Sequence, residues 1–429
     1  MFMVFFLSEI LDVSDTVLLW VSWLVLAARL FDAVMDIVMG SIVDNTRSRW
    51  GHYKPWILVG VIASAVFTVL MFSELGLNDQ TFIVVFAMIY LLWGLSWTMN
   101  DIPYWSMLPA LSVDQKARER IGSVAKIFAT IGLFLVVVTI LPLTNALGAS
   151  IGLTNAWFLY TLAIVIIMIA GQMVTLFGVK EPDIVVEQEH TSLKEVTGVV
   201  LKNDQLLWTA IAMVTFMTGY LTTTTFGTYF FKYAYGDENM YTPFGAVLIV
   251  SQLIGYLTFP LLRKKFDRRT IFTGAIGLIA LGYVAFFFAP MDIIPIGVAG
   301  LLLFIGQAYV TMLMLVFIAD TIDYGHWKLG RRNVAVTFAL QPFINKVGAA
   351  LSTQIVAVTI VAAGISSAAV ASDVTADGLL LMKVMMLAVP AVLIVISYLI
   401  YRWKYRIDET FHARIISDLR ERGQLHSEP

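Results

Sequence analysis

Thr16–Val43 reads TVLLWVSWLVLAARLFDAVMDIVMGSIV, an almost wholly apolar stretch that still carries Arg29, Asp32 and Asp36. Spacings of three and four residues put these three side chains on one face of a helix. A charge at membrane depth costs about 3 kcal/mol even on lenient insertion scales, so it persists where it faces a partner or a water-filled cavity. The stretch therefore predicts a membrane helix that handles ions.

The composition of the whole chain agrees with a membrane protein. Charged residues make up 14% and hydrophobic residues 59% of the 429 residues, and the mean hydropathy is +0.83, whereas soluble domains are about 25% charged. The chain has no cysteine and its five histidines are scattered, which excludes disulfides and argues against a structural zinc site. The net charge of −2 gives no indication of a nucleic-acid partner, and we expect no cofactor.

Apolar runs of about 20 residues predict eleven complete membrane helices. They lie near residues 16–43, 56–75, 81–112, 121–147, 155–179, 206–234, 241–262, 270–289, 293–319, 334–363 and 379–403. Met1–Leu11 is apolar but too short to span. We interpret it as the outer half of a first helix whose inner half the chain does not include; a short segment at the membrane surface is the alternative.

Basic residues predict the orientation. Of the 28 lysines and arginines, 23 lie in alternate polar segments, 44–55, 113–120, 180–205, 263–269, 320–333 and 402–429. The positive-inside rule places these segments and the C-terminus in the cytoplasm, which predicts a multi-pass protein of the cell (inner) membrane.

The longest of these connections divides the predicted helices six and six. The expected organisation is a bundle over 1–179, a middle loop over 180–205, a second bundle over 206–403 and a tail over 404–429. Lys126 in the fifth helix corresponds to Lys346 in the eleventh, 220 residues later. Such a repeat favours an all-α fold of two six-helix bundles, the layout of the major facilitator superfamily.

The fourth helix predicts a sugar site. Trp97, Asp101 and Trp105 follow one another at offsets of four, with Thr98 beside them. An indole ring packs on the CH face of a pyranose, while a carboxylate accepts hydrogen bonds from two hydroxyls. The alternative is a core tryptophan beside a structural aspartate. Lys126 either donates to sugar hydroxyls or pairs with Asp101.

The second helix predicts a cation site at Asp32 and Asp36. Carboxylate oxygens suit a hard cation such as Na⁺, and crowded carboxylates can instead hold a proton. The alternative is structural ion pairing with Arg29 and Lys346; we expect Arg29 to act as scaffold and Lys346 to balance the cation site.

Further polar groups lie in the second half of the chain. Gln341, next to Pro342, predicts a broken helix beside a cavity. The hydroxyls of the run 222–225 are expected to bond back to their own helix, and Asp320 and Asp323 to form gating salt bridges with basic turns.

Several motifs together resemble the glycoside–pentoside–hexuronide cation symporters of the major facilitator superfamily. The first is Asp32-x3-Asp36-x3-Gly40-x3-Asp44-x-Thr46-Arg47-Ser48-Arg49-Trp50-Gly51-x2-Lys54-Pro55. Asp101-Ile102-Pro103-Tyr104-Trp105-Ser106, Asp320-Thr321-x-Asp323-Tyr324-Gly325 and Lys346 also match. The similarity runs from Met1 to the twelfth helix.

The resemblance implies a symporter, coupled to H⁺ or Na⁺, that works by alternating access. It implies a cation site at Asp32, Asp36 and Thr98, with Na⁺ as a candidate there. It places sugar at Asp101 and Trp105, with Lys126 where relatives carry arginine. Family members also bind sugar through an aspartate in the inner half of the first helix, which this chain does not include, so sugar transport is an expectation that needs testing.

One further position bears on the cation. Met35 stands just before the second aspartate, where some sodium-using relatives carry asparagine, and its thioether is a poor ligand for a hard cation. This favours proton coupling, although Thr98 still permits Na⁺. We expect a monomer in the lipid bilayer. The rival functions are a drug or organic-solute exporter, an uncoupled sugar facilitator and, least favoured, a membrane enzyme.

Overall fold

The computed structural model describes residues 2–111, 115–179, 198, 201–330, 334–366, 368 and 371–422. The chain divides into two compact units of helices. Unit 1 comprises Met1–His190 with Ser366–Ala368, and unit 2 comprises Thr191–Ile365 with Ala369–Pro429.

The described residues of unit 1 form six helices. They are α1 (Phe2–Phe5, continued by a π-helical turn over Phe6–Ile10), α2 (Asp15–Asn45), α3 (Lys54–Met71), α4 (Asp79–Leu111), α5 (Gln115–Ile151) and α6 (Leu153–Gly178). α4 packs against both α2 and α3, and α6 packs against α3 and α5. α4 is therefore the helix around which the predicted site must be built.

From Asp204 onward, the described residues of unit 2 form seven helices. They are α7 (Asp204–Tyr229, continued by a π-helical turn over Phe230–Tyr235), α8 (Tyr241–Arg263), α9 (Arg268–Phe288), α10 (Ile293–Leu329), α11 (Val334–Ala362), α12 (Ala376–Lys404, with a π-helical segment over Val384–Ala388) and α13 (Glu409–Glu421). Side-chain oxygens cap several of their N-termini, as where Asp408 accepts from the Phe411 amide at 2.8 Å.

Ten helices of the described part are long and apolar enough to cross a membrane, judged by length and composition. They correspond to ten of the eleven predicted spans. The eleventh predicted span corresponds to α2. Its 31 residues give a length of about 46 Å, so this helix is also longer than the roughly 30 Å of a bilayer core.

Some predicted helix boundaries were wrong. α10 continues ten residues beyond the predicted end and stops at Leu329, where Gly330 adopts the left-handed conformation at φ 72° that glycine accommodates without strain. Asp320 and Asp323 therefore lie on a helix and not in a loop. α3 ends earlier than predicted, at Met71. The predicted tail contains α13. This helix was not predicted because its many charged residues lower its average hydropathy, although it carries an apolar stripe.

The predicted break in the eleventh helix is also wrong. α11 runs from Val334 to Ala362 with Pro342 inside it. A proline removes one intrahelical hydrogen bond, but the remaining residues of the long apolar helix keep their bonds and the helix continues.

The N-terminal segment is packed inside unit 1. Phe5, Phe6 and Leu7 are at most 2% exposed, and the Phe6 ring lies 5.4 Å from that of Trp157 on α6. The segment is therefore part of the core of unit 1, and its position relative to the membrane surface stays a prediction.

A polar tie fixes α4 against two neighbours. Asn100 on α4 donates to the carbonyl oxygen of Ile57 on α3 at 3.1 Å, and its own amide oxygen accepts from Gln172 on α6 at 3.1 Å. Gly60 lets α3 approach closely, because a Cβ there would lie 2.5 Å from the Asn100 backbone nitrogen. Asn100 precedes Asp101, so this tie fixes the backbone that carries the predicted sugar site.

Candidate functional site

The acidic residues of α2 face α4. Thr98 Oγ1 on α4 donates to Asp36 Oδ1 on α2 at 2.8 Å. Asp32, one turn away on α2, is 2% exposed and lies against Gly94, where a Cβ would come within 2.4 Å of Asp32 Oδ1. The structure thus brings together the three residues predicted for the cation site, all of which offer oxygen atoms.

Arg29 lies beside the buried carboxylate. Its Nη1 is 3.6 Å from Asp32 Oδ2. The guanidinium carbon lies 5.5 Å from the ring centroid of Tyr90 and 5.3 Å from that of Trp93, distances at which a cation is attracted to an aromatic face. Arg29 therefore compensates the charge of Asp32 and is itself held by two α4 rings.

Asp101 and Trp105 form the predicted pair. Trp105 Nε1 donates to Asp101 Oδ1 at 3.1 Å, which fixes the indole beside the carboxylate. Asp101 is half-buried, while Trp105 and Trp97 are 38% and 39% exposed. Trp97 stacks on Trp93 with ring centroids 6.1 Å apart. An accessible carboxylate between two accessible indoles can accept hydrogen bonds and offer apolar faces to one ligand.

The two halves of the site adjoin on one helix. Gly94, Thr98, Asp101 and Trp105 follow at intervals of four, three and four residues, so they share one face of α4. Thr98 and Asp101 are separated by about 4.5 Å of helix rise. A cation at Thr98 and Asp36 would therefore act on a ligand at Asp101 over a short distance.

The remaining predicted site residues lie on α5 and α11. The side chain of Lys126 on α5 lies outside the described residues. Gln341 and Lys346 lie on α11 of unit 2, and their roles in sugar binding and in balancing the cation site stay predictions.

The threonine run behaves largely as expected. Thr222 Oγ1 donates to the Thr218 carbonyl at 2.7 Å, which confirms the back-bonding prediction there. Thr223 does more, since its hydroxyl also bonds to Tyr283 on α9 at 2.8 Å and donates to the Met386 carbonyl on α12 at 2.9 Å. Thr223 therefore ties three helices of unit 2.

Sequence reasoning missed Gly94, Tyr90 and Trp93. Their signal was spacing, because Gly94 precedes Thr98 by four residues and Tyr90 precedes Trp97 by seven, which places all of them on the site face of α4.

The predicted salt bridge of Asp320 is confirmed. Arg268 Nη1 at the start of α9 lies 2.5 Å from Asp320 Oδ2, and Tyr405 donates to the same oxygen at 3.1 Å. The Asp320 side chain is 6% exposed, so the bridge is buried at one end of unit 2.

The helical fold and the match to a family model show a major facilitator transporter. A bacterial homologue of the human lysosomal transporter Spinster has the same fold, with a TM-score of 0.64 at 13% identity over 95% of this chain and 91% of that one. The chain belongs to the family described as MFS/sugar transport protein, whose profile matches residues 1–409. The predicted fold and family are confirmed.

Two relatives of this chain are named for the sugars that they carry. It is 32% identical to the lactose permease of Lactobacillus delbrueckii subsp. bulgaricus over all of this chain and 70% of that protein. It is 30% identical to the raffinose carrier protein of Pediococcus pentosaceus over 93% of this chain and 64% of that protein. These relatives are transporters and not enzymes, so the membrane-enzyme alternative was wrong.

Proposed function

We propose that this protein is a symporter that couples uptake of a glycoside to a cation, H⁺ or Na⁺, by alternating access. The observation that carries the proposal is the adjacency of Asp36–Thr98 and Asp101–Trp105 on one face of α4. Lactose and raffinose, which the names of the relatives mention, are both glycosides and are suitable probes.

The cation and the sugar have separate ligands in this proposal. Asp32, Asp36 and Thr98 supply oxygen atoms for the cation, and a bound positive charge lowers the repulsion between the two carboxylates. Asp101 accepts sugar hydroxyls while Trp105 packs on the ring. Because α4 carries ligands of both sites, occupation of one site orders the backbone of the other, which is the physical basis for coupling.

The cation is the finer part of the proposal. Met35 adds no hard ligand, which favours a proton, whereas the hydroxyl of Thr98 and two carboxylates favour Na⁺. Uptake of labelled lactose into vesicles at fixed pH with and without Na⁺, and at fixed Na⁺ across a pH gradient, separates the two.

We also propose that the protein lies in the cell membrane with its C-terminus in the cytoplasm. The concentration of lysine and arginine in alternate connections supports this orientation. Labelling of a cysteine introduced in the C-terminal segment by an impermeant maleimide in intact cells checks it, since an inward C-terminus stays unlabelled.

The sugar site is tested by Asp101→Asn. We expect sugar binding to purified protein to fall below detection, because the neutral amide replaces one acceptor oxygen by a donor at the position that takes sugar hydroxyls. Asp79→Asn is the matched control, since Asp79 lies on the same helix at its far end, bonded to Ser14. Wild-type affinity in Asp101→Asn would refute the sugar role.

The cation site is tested by Asp36→Cys. We expect sugar to equilibrate across the membrane without accumulating against its gradient, because the cation loses its ligand and the Thr98 hydrogen bond is weakened. Uphill accumulation equal to the wild type would remove the cation assignment. Transport of organic cations in place of sugar would instead support the exporter.

A further inference from the structure

The segment after α12 turns back and docks α13 on the end of α10. Ile415 and Leu419 on α13 are fully buried. Trp327 Nε1 on α10 donates to Asp418 Oδ2 at 2.8 Å, and the Trp327 ring lies 5.9 Å from that of Phe411. α13 is therefore packed against unit 2, with an apolar stripe inward and its charges outward.

His412 lies in the middle of this interface. Its Nε2 is 3.1 Å from Asp323 Oδ2 and 3.7 Å from Asp320 Oδ1, both on α10. Its side chain is 23% exposed. The two carboxylates stabilise the protonated imidazole most, because the ring then carries a positive charge and Nε2, the atom nearest both of them, is a donor.

The charged groups of this interface come from four elements. α10 contributes Asp320 and Asp323; α9 contributes Arg268, which already pairs with Asp320 at 2.5 Å. α13 contributes Glu409, which pairs at 3.0 Å with Arg263 at the end of α8. Protonated His412 adds a positive charge beside Asp320 and Asp323. The linker before α13 adds the hydroxyl of Tyr405, which donates to Asp320.

The titration of His412 follows from these neighbours. The hydrogen bond to Asp323 raises the pKa of His412 above its usual value, and the charges of Asp320 and Asp323 act in the same direction, against burial and Arg268. The site is thus arranged to favour the imidazolium at the pH where an exposed histidine loses its proton.

We propose that His412 is a proton-operated latch that holds α13 against the ends of α9 and α10. Protonated His412 bridges Asp320 and Asp323, and loss of the proton leaves these carboxylates with less positive charge and releases the helix. The latch senses pH on the face of the membrane where the C-terminal segment lies. It depends on the transporter fold and not on the identity of the sugar or cation.

The sign of the pH dependence is fixed by linkage. Docking raises the pKa of His412, so its contribution to docking is complete below the undocked pKa of about 6.5 and is lost as the pH rises through the docked pKa. Each unit of difference between the two pKa values corresponds to a roughly tenfold change in the docked-to-undocked ratio.

The chain has no cysteine, which allows a clean distance measurement on the purified full-length protein. Spin labels at Ser417→Cys on α13 and Lys265→Cys in the turn before α9 both occupy exposed positions. Double electron–electron resonance is recorded at about pH 5.5 and about pH 8.5, on either side of the undocked pKa. We expect one narrow short distance at the lower pH and a broad, longer distribution at the higher pH.

Two substitutions separate the latch from general packing. His412→Gln keeps hydrogen bonding but cannot become charged, so we expect a broad distribution at both pH values, with a docked fraction at low pH severalfold below the wild type. His412→Lys carries a permanent charge and should stay docked at both. His52→Gln, in the turn before α3 of unit 1, is the control and should keep the wild-type profile.

A wild-type distance that does not change with pH would overturn the proposal. So would a His412→Gln variant that retains the wild-type pH profile, because another group would then be the sensor.

Discussion

The position of the Asp32 carboxylate depends on a glycine, Gly94, on the neighbouring helix α4. Gly94 leaves the space on α4 that the carboxylate occupies, and a Cβ would lie 2.4 Å from Asp32 Oδ1. On the other side Arg29 balances the charge. The space left by Gly94 and the charge of Arg29 therefore both stabilise the buried carboxylate, and the proposed cation site depends on both.

Gly94→Ala should weaken cation binding at least tenfold, because the new methyl group displaces the Asp32 carboxylate. Cation titration of purified protein checks this. Gly132→Ala on α5 is the matched control, since its added methyl would meet nothing within 4 Å. Equal cation affinity in the Gly94→Ala protein and the control would contradict this position of Asp32.

Trp105→Phe should reduce sugar affinity by a factor of about three to ten, because it removes the hydrogen bond to Asp101, worth about 1 kcal/mol, while it keeps an aromatic face. Trp105→Leu removes the flat ring as well and should reduce affinity further. Sugar titration calorimetry of both variants measures the difference, and equal affinities in Phe and Leu variants would show that the ring face does not contact sugar.

Helices and their ends were predictable to different degrees. Apolar runs located the membrane helices because the bilayer selects for them over about 20 residues. Helix ends in water depend on caps and tertiary contacts. α10 therefore extends beyond its apolar run and includes Asp320 and Asp323. α13 was not predicted, because only one stripe of it, including Ile415 and Leu419, is apolar and the average hydropathy of the segment is low.

The end of unit 2 offers two ion pairs that differ in burial. The Asp320 side chain is 6% exposed and that of Arg268 24%, whereas the side chains of Asp204 and Lys328 are 42% and 38% exposed. Removing one partner of a buried pair costs on the order of 3–5 kcal/mol because the other charge stays buried, whereas an exposed pair contributes about 0–1 kcal/mol.

Asp320→Asn should therefore lower the temperature at which the detergent-solubilised protein unfolds by several degrees, while Lys328→Gln should change it little. Thermal unfolding followed by tryptophan fluorescence measures both variants. Equal small shifts would show that the Arg268–Asp320 pair is not a buried structural contact.

For the whole molecule, the sequence predicted the transporter class, the family and the residues of the α2–α4 cluster. Charged residues inside apolar runs are rare and costly, so Asp32, Asp36 and Asp101 were visible without coordinates. Gly94 and the hydrogen bonds of Asn100 could not be recognised in this way, because their function depends on which helices pack against α4. A hydropathy pattern carries no information on that pairing.

The central claim is that cation and sugar occupy adjoining sites on α4 and therefore affect each other's binding. The most direct test is to measure the sugar dissociation constant of the purified protein at saturating and at negligible cation, and the cation dissociation constant with and without sugar. Linkage requires the two ratios to be equal. We predict a shared factor of about 5 or more, which Asp36→Cys abolishes. Sugar affinity that is the same at every cation concentration and pH would contradict the account.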